Sequence, residues 1–234
     1  MWVGTAGWSI SPALQVDFPG AGGLLERYSR RFACCEINST FHKRHRPATY
    51  QRWAASVPDG FRFILKMPKT ITHGRKLRDC QALLDEFLED CRMLGPAVLL
   101  IQLPPSLAFE IELAERFFAD LRQRFAGGVA CEPRHPSWFT AESQEFWQKH
   151  RLARVAADPA RVPAAAEPGG WRGFSYFRWH GWPRMYYSSY ESARLSELAA
   201  QMRACPGEVY CIFDNTAAGA GSGDALRLVS LLQS

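Results

Sequence analysis

Short apolar runs alternate with amphipathic stretches along nearly the whole chain, and this alternation restricts the fold more than any single motif. The runs Trp2–Gly7, Cys34–Thr40, Phe61–Met67, Ala97–Leu103, Val129–Arg134, Arg154–Asp158, Phe174–Gly181 and Val209–Asn215 are dense in aliphatic or aromatic residues. Each is bounded by Gly, Pro or Asp, as buried strands are. Between them the spacing predicts helices over Gly23–Phe32, Ala48–Val57, Cys80–Leu94, Ile111–Phe125, Glu142–Arg151 and Glu191–Arg203, with a last one over Asp224–Leu232. In "LLDEFLEDCRML" apolar residues recur every three or four positions, the period of one helical face. Strands and helices in strict alternation require parallel strands joined by crossovers. A doubly wound open sheet and a (β/α)8 barrel both satisfy that requirement. Units of roughly 25–35 residues favour the barrel. The segment "GTAGWS" after the first run is a poor match to a dinucleotide-binding fingerprint. The stretch "ARVPAAAEPGGWRG" is too rich in Pro and Gly for a helix and reads as a loop replacing the sixth one. The expected fold is therefore an α/β, TIM-type (β/α)8 barrel, one domain over residues 1–234.

Composition narrows the function class. The chain is 47% hydrophobic, enough for a sizeable core, and its net charge of +5 points to anionic ligands without the charge density of a dedicated nucleic-acid binder. A modest Arg excess that only keeps the protein dissolved explains the same number equally well. The seven cysteines are scattered and form no C-x-x-C pair, which removes zinc-ribbon and thioredoxin readings. With no leader-like segment and no run of membrane-spanning length, a reduced cytoplasm is the expected compartment, with no membrane partner. "NST" at Asn38 matches a glycosylation acceptor only by chance in that compartment.

In such barrels chemistry sits at the carboxyl ends of the strands. Here those ends carry Glu36 and Asn38, Lys66, Gln102, Glu132 and Arg134, Asp158, Arg178 and His180, and Asp214 with Asn215. Residues two apart share a face, so Glu36 with Asn38, Glu132 with Arg134, and Arg178 with His180 form same-side pairs. Five of six histidines (His42, His45, His73, His135, His180) follow strand ends, beside the basic segments "HKRHR" and "HGRKLR". Singly, each is explained by a solvated loop or a structural ion pair. Together at one mouth they indicate a binding site. The stretch "DNTAAGAGSGDALRLV" adds glycines running into a helix start, which reads equally as an anion site without the Walker-type lysine and as a solvent loop capped by Ser222.

In order along the chain, "GTAGWS", "CCEINSTFH", "FILKMPKTITH", "LLIQLPPS", "CEPRHPSW", "FRWHGWPRMYY" and "CIFDNT" resemble the motif series of the YecE-like family, the domain of unknown function numbered seventy-two. The resemblance runs from Gly4 to about Leu228. It implies a TIM-type barrel of unsettled biochemical role. The family's recurrent polar positions map onto Trp8, Glu36, Asn38, Lys66, Thr72, His73, Gln102, Glu132, Arg134, His135, Trp138, Asp158, Arg178, His180 and Asn215. Pro133 and Asp214 depart from the expected Phe-like residue and Asn.

Three chemistries fit these residues. In the first, Glu132 and His180, with Glu36 and Asp158 as further candidates, carry protons while Lys66, Arg134 and Arg178 hold a small anionic substrate, phosphorylated or sugar-like. Such an enzyme would be a lyase, isomerase or hydrolase without a cofactor. In the second, a divalent metal sits among Glu36, Glu132, His180 and Asp214, as in barrel isomerases and phosphodiesterases. The cations accompanying each acid and the absence of H-x-H or H-E-x-x-H spacing favour the metal-free reading. In the third, a non-catalytic protein stacks nucleic-acid bases on Trp179, Trp182 or Tyr186. Barrel-to-helix packing explains most of those aromatics equally well.

Overall fold

A computed structural model of the chain describes residues 1–95 and 98–234. Its strands are β1 (Trp2–Thr5), β2 (Cys34–Ile37), β3 (Arg62–Lys66), β4 (Val98–Gln102), β5 (Val129–Glu132), β6 (Ala153–Arg154), β7 (Ala156–Asp158), β8 (Gly169–Gly170), β9 (Phe174–Trp179) and β10 (Glu208–Phe213). The expected start of the fourth strand at Ala97 lies outside the described residues. The helices are α1 (Leu24–Ser29), α2 (Ser39–His42), α3 (Pro47–Ala55), α4 (Gln81–Arg92), α5 (Ile111–Arg124), α6 (Ala141–Lys149), α7 (Ser192–Ala204) and α8 (Ala220–Gln233). Between β7 and β9 the chain forms only a short 3-10 turn, Pro163–Ala166, and the two residues of β8, where the sequence predicts a loop in place of the sixth helix.

The strands form two sheets, ordered β1-β10-β9-β7 and β2-β3-β4-β5-β6-β8. Their pairings are parallel except that of β6 with β8. This mixed α/β architecture agrees with the expected class, but the strands do not close into one continuous sheet. The interruptions have local causes. The expected sixth strand is split at Val155: its first half pairs with β5 and its second with β9. Between β1 and β2 a single parallel bridge remains, from Ala6 to Glu36.

Alternating side chains sort the core into three parts. Cys34, Ile64, Leu100, Ala130, Val155, Tyr176 and Ile212, drawn from both sheets, pack into one interior. On the outer faces, Phe63, Leu65, Leu99 and Ile101 pack with Leu84, Phe118 and Phe146, and a second cluster joins Phe177 and Cys211 to Leu195, Leu198 and Leu228. Helix α8 starts four residues before the predicted Asp224, so its glycines occupy the first turn. Gly219 caps that turn with φ 79°, a left-handed conformation.

The β1–β2 seam depends on close approach. A Cβ at Gly4 would collide with the carbonyl oxygen of Cys34. The Tyr28 hydroxyl, fully buried, accepts the Thr5 amide at 2.7 Å and donates to the Cys34 carbonyl at 3.1 Å, tying the two strands together. Tyr28→Phe leaves the Thr5 amide buried without a partner and is expected to cost about 1–3 kcal/mol. Urea unfolding measures this, and an unchanged midpoint would place the support of the seam elsewhere.

Candidate functional site

The strand alternation carries the apolar interior directly into a polar layer. Glu36 stands two residues after Cys34, Lys66 after Ile64, Gln102 after Leu100, Glu132 after Ala130, Arg178 after Tyr176 and Asp214 after Ile212. All six are buried, Glu36 and Arg178 completely.

Arg178 is the centre of the layer. Its Nε donates to both oxygens of Glu36 at 3.2 and 3.0 Å, and its Nη2 donates to Glu36 at 2.7 Å and lies 2.9 Å from Asp214. Nη1 donates to Glu132 at 3.1 Å. The Tyr176 hydroxyl adds a bond to Glu36 at 3.0 Å. Burial opposes the charge on Arg178, but Asp214, Glu36 and Glu132 outweigh it and hold the guanidinium above its ordinary pKa. Glu132 also accepts from Gln102 at 3.1 and 3.2 Å and from Arg134 Nε at 2.9 Å. Burial alone would raise its pKa, yet Arg134 and Arg178 keep it well below the usual carboxylate range. Asp214 is likewise lowered to about 2, where burial is overcome by Arg178 and by the bond to His180.

His180 follows β9 and completes the layer. Its Nδ1 donates to Asp214 at 3.0 Å, while the buried Nε2 lies 3.7 Å from Glu132, has no hydrogen-bond partner among the described residues, and is left available. Burial disfavours the imidazolium, but the bond to Asp214 and the nearby Glu132 carboxylate prevail and raise its pKa. Tyr186 sets its ring edge-on to the imidazole, centroids 5.7 Å apart. Lys66 differs from the other cations: its Nζ sits 4.4 Å from the Phe41 ring centroid, and burial, followed by Arg178, lowers its pKa to about 8. His73 also packs against Phe41, at 5.1 Å, and shares a 2.8 Å hydrogen bond with Thr72. Burial, then Arg134 and Lys66, lower its pKa. Asn38 donates to Asp214 at 3.0 Å and leaves its buried Oδ1 unpartnered.

Other expected site residues lie elsewhere. Asp158 is in register with Trp179, whereas Ala157 is in register with Arg178, so Asp158 occupies the opposite face. There it accepts from Arg194 at 2.6 Å and from the Tyr190 hydroxyl at 2.9 Å. Trp138 is buried in the outer core and donates to the Leu107 carbonyl at 2.9 Å. His135 caps the turn Pro136–Phe139 through Ser137. Asn215 donates to Ser188 and to Asp224. Trp8 packs edge-on to Trp53, centroids 5.0 Å apart. In the basic loop, Arg44 is taken up by Glu86, Glu89 and Asp90 of α4. The glycine-rich start of α8 is also engaged, since the Gly221 amide donates to the Asn215 carbonyl and Ser222 to that of Ser9.

Two participants were passed over as site residues in the sequence. Tyr176 reads there as core, and Asp214 enters as a strand-end residue and a metal candidate, not as a partner of Arg178 and His180. The signal available for both was two-residue spacing, from Tyr176 to Arg178 and from Ile212 to Asp214. Among the described residues, no three His, Cys, Asp or Glu side chains are grouped to hold a metal. A cavity of about 510 Å³ opens at the other ends of the strands, but there Arg62 is held by Glu208, and Arg124 by Asp85 and Asp120. No helix of the described residues is long and apolar enough to cross a membrane.

Parallel sheets flanked by helices around a buried arginine–carboxylate layer define an α/β protein with a polar end to its interior. The family model described as "Protein of unknown function DUF72" matches residues 2–234, and the chain belongs to that family. UPF0759 protein YecE of Escherichia coli K12 is 32% identical over 148 residues, 62% of this chain and 52% of that protein. The chain thus spans about half the length of the curated relatives it matches. A DUF72 family protein of Enterococcus faecalis V583 superposes with a TM-score of 0.81 at 18% identity, covering 100% of this chain and 95% of that one. Another from Thermotoga maritima MSB8 gives 0.78 at 24% identity, covering 100% and 99%. At these identities the likeness concerns the fold.

Two outcomes follow from the electrostatics. Arg178→Met removes the guanidinium that three buried carboxylates share and is expected to cost about 3–5 kcal/mol at pH 7. The depressed Glu132 and Asp214 contribute stability above their unfolded pKa values, and that contribution is lost as pH falls toward 2. The penalty of the variant should therefore shrink near pH 4, as its freed carboxylates take up protons. Urea titrations at both pH values test this, and a penalty independent of pH counts against it. Lys66→Met removes a buried ammonium and should stabilise the protein by roughly 1–3 kcal/mol at pH 7. Since the folded pKa near 8 lies below the unfolded 10.5, wild-type stability rises between those values and the advantage of the variant fades there. Destabilisation at pH 7 would instead make Lys66 a structural cation.

Proposed function

We propose that the two sheets act as one (β/α)8-type barrel, a single domain, and that the polar layer at its carboxyl end is the active site of an enzyme acting on a small anionic molecule. The reaction is acid–base chemistry without a metal, on a phosphorylated or sugar-like substrate. The observation that carries this reading is the buried, unpartnered Nε2 of His180, held in place through Nδ1 by Asp214. An imidazole fixed by a carboxylate with its second nitrogen free is a proton carrier ready for a substrate.

Charge supports an anion. When His180 is protonated, Lys66, Arg134, Arg178 and His180 meet only Glu36, Glu132 and Asp214, leaving one positive charge uncompensated. The roles divide accordingly. His180 carries the proton; Glu132 and Glu36, saturated by arginines, orient those arginines. Lys66 and Arg134 face the substrate, with His73, Asn38 and Tyr186 around it. A divalent cation suits this donor set poorly, because guanidinium groups already engage the carboxylate oxygens it would need. The free thiols of all seven cysteines accord with a reducing, cytoplasmic setting.

A second reading draws on one loop. Trp182, Tyr186 and Tyr187 are exposed, and Arg184 stacks on Tyr187 at 3.9 Å, a surface able to hold single-stranded nucleic acid. Such binding weakens steeply with salt, so affinity insensitive to ionic strength removes it.

A thermal-shift screen of phosphorylated and carboxylate metabolites tests the main reading. A ligand at a hundredfold its Kd adds about 2.7 kcal/mol of stability. Arg134→Met should abolish the shift. With a substrate in hand, His180→Asn should lower turnover by roughly 10²–10⁴-fold while binding persists. A screen in which no anion stabilises the protein rejects the proposal.

A further inference from the structure

Lys66 stands apart from every other buried charge of the layer. The neighbouring carboxylates are engaged: Glu36 by Arg178 and Tyr176, Glu132 by Arg178, Arg134 and Gln102, Asp214 by Arg178, His180 and Asn38. Among the described residues, no hydrogen bond or salt bridge reaches Lys66 Nζ. Its Nζ lies 4.4 Å from the Phe41 ring centroid, and the residue is only 7% exposed. Its backbone is anchored, with the Thr40 hydroxyl 2.8 Å from the Lys66 carbonyl oxygen. A buried ammonium without an anionic partner is costly. A lysine desolvated beside another fixed cation is the arrangement that turns an ammonium into a nucleophilic amine. Burial acts first and Arg178 supplies that cation, against the opposing pull of Glu36, Asp214 and Glu132.

We propose that Lys66 is a covalent catalytic residue that forms an imine with a small carbonyl compound bearing a carboxylate or phosphate group. This deepens the anion-binding reading and rests on it. The neutral amine attacks the carbonyl carbon, forming the C–N bond while the carbonyl oxygen takes up a proton. The nitrogen then releases a proton. The carbinolamine C–O bond breaks as protonated His180 delivers a proton from Nε2 to the departing hydroxyl, which leaves as water. The product is a protonated imine on Lys66 and a neutral imidazole still held by Asp214. No oxidant, reductant or metal enters the balance. The imine is an electron sink for proton abstraction or bond cleavage beside the former carbonyl carbon, and Arg134 is placed to hold the anionic group.

Reductive trapping tests this on the intact protein. Pyruvate, glyceraldehyde 3-phosphate and dihydroxyacetone phosphate are each incubated with it and sodium cyanoborohydride near pH 8, and adducts are located by peptide mass mapping. The exposed Lys43, Lys69 and Lys76 serve as internal controls. The expected result is an adduct on Lys66 at least about tenfold above those lysines, absent in Lys66→Arg and slower by roughly 10²-fold or more in His180→Asn. Whether pyruvate or the phosphorylated probes dominate identifies the anionic group. In parallel, thermal shifts with inorganic phosphate and lactate, which have no reactive carbonyl, test the anion site alone. Stabilisation by these anions without selective labelling of Lys66 overturns the imine and leaves the anion site standing. Labelling of Lys66 without stabilisation, and without preference for anionic probes over acetaldehyde, overturns the anion site and the substrate class drawn from it. Because wild-type peptide mapping decides the main point, a variant that fails to fold does not blunt the test.

Discussion

The guanidinium of Arg178 holds the two sheets together. It projects from β9 of one sheet and is bonded to Glu36 and Glu132, which come from β2 and β5 of the other, while Asp214 follows β10 of its own sheet. The backbone bridges the sheets only weakly, through Ala6 and Glu36 at one side and the split strand at Val155 on the other. A guanidinium with no exposed surface is tolerable only when its donors are met by anions. The carboxylates must therefore assemble together, and the strands bearing them are held in register by that requirement. Stability and site geometry share one set of contacts, which is why the same layer is both the seam of the fold and the candidate for chemistry.

The division of labour within the layer follows from the same contacts. A carboxylate that accepts from two arginines, as Glu132 does, is a poor base, because its proton affinity has been spent on holding them. The groups left reactive are those with an unused valence: His180 at Nε2, Asn38 at Oδ1 and Lys66 at Nζ. This inverts the ordering that residue type alone suggests, in which glutamate is the first choice for proton transfer.

Much of the arrangement was legible before any coordinates. The class of fold, the parallel pairing, the missing sixth helix and the place of Glu36, Lys66, Glu132, Arg178 and His180 in one layer all follow from alternation and two-residue spacing. What was not legible has specific causes. Asp158 ends a strand like its counterparts, but Val155 splits that strand and Ala157, not Asp158, falls in register with Arg178. Trp138 and Asn215 are polar or aromatic residues at strand ends whose partners, Leu107 in the loop before α5 and Asp224 in the first turns of α8, no local pattern discloses. Arg44 sits in a basic segment, yet α4 presents Glu86, Glu89 and Asp90 to it across the fold. The sheet is not continuous for a backbone reason: β6 is paired on one edge by β5 and on the other by β8, so the continuation of the strand beyond Val155 meets β9 in the second sheet.

Asp214 shows how finely such a layer is balanced. Its family resemblance leads one to expect Asn at this position. An amide there would leave Arg178 with two carboxylates and His180 with a neutral neighbour at Nδ1. The imidazole would then lose the bond that most raises its pKa, and burial would favour its neutral form. The aspartate thus favours the protonated form of His180, the form that donates a proton. The charge the aspartate adds is met by that of the imidazolium, so the positive surplus that attracts an anion is the same with either residue. An aspartate here therefore places a charged acid beside the ligand without loosening the electrostatic hold on it. That arrangement suits a reaction in which an oxygen must leave as water more than one in which binding alone is required.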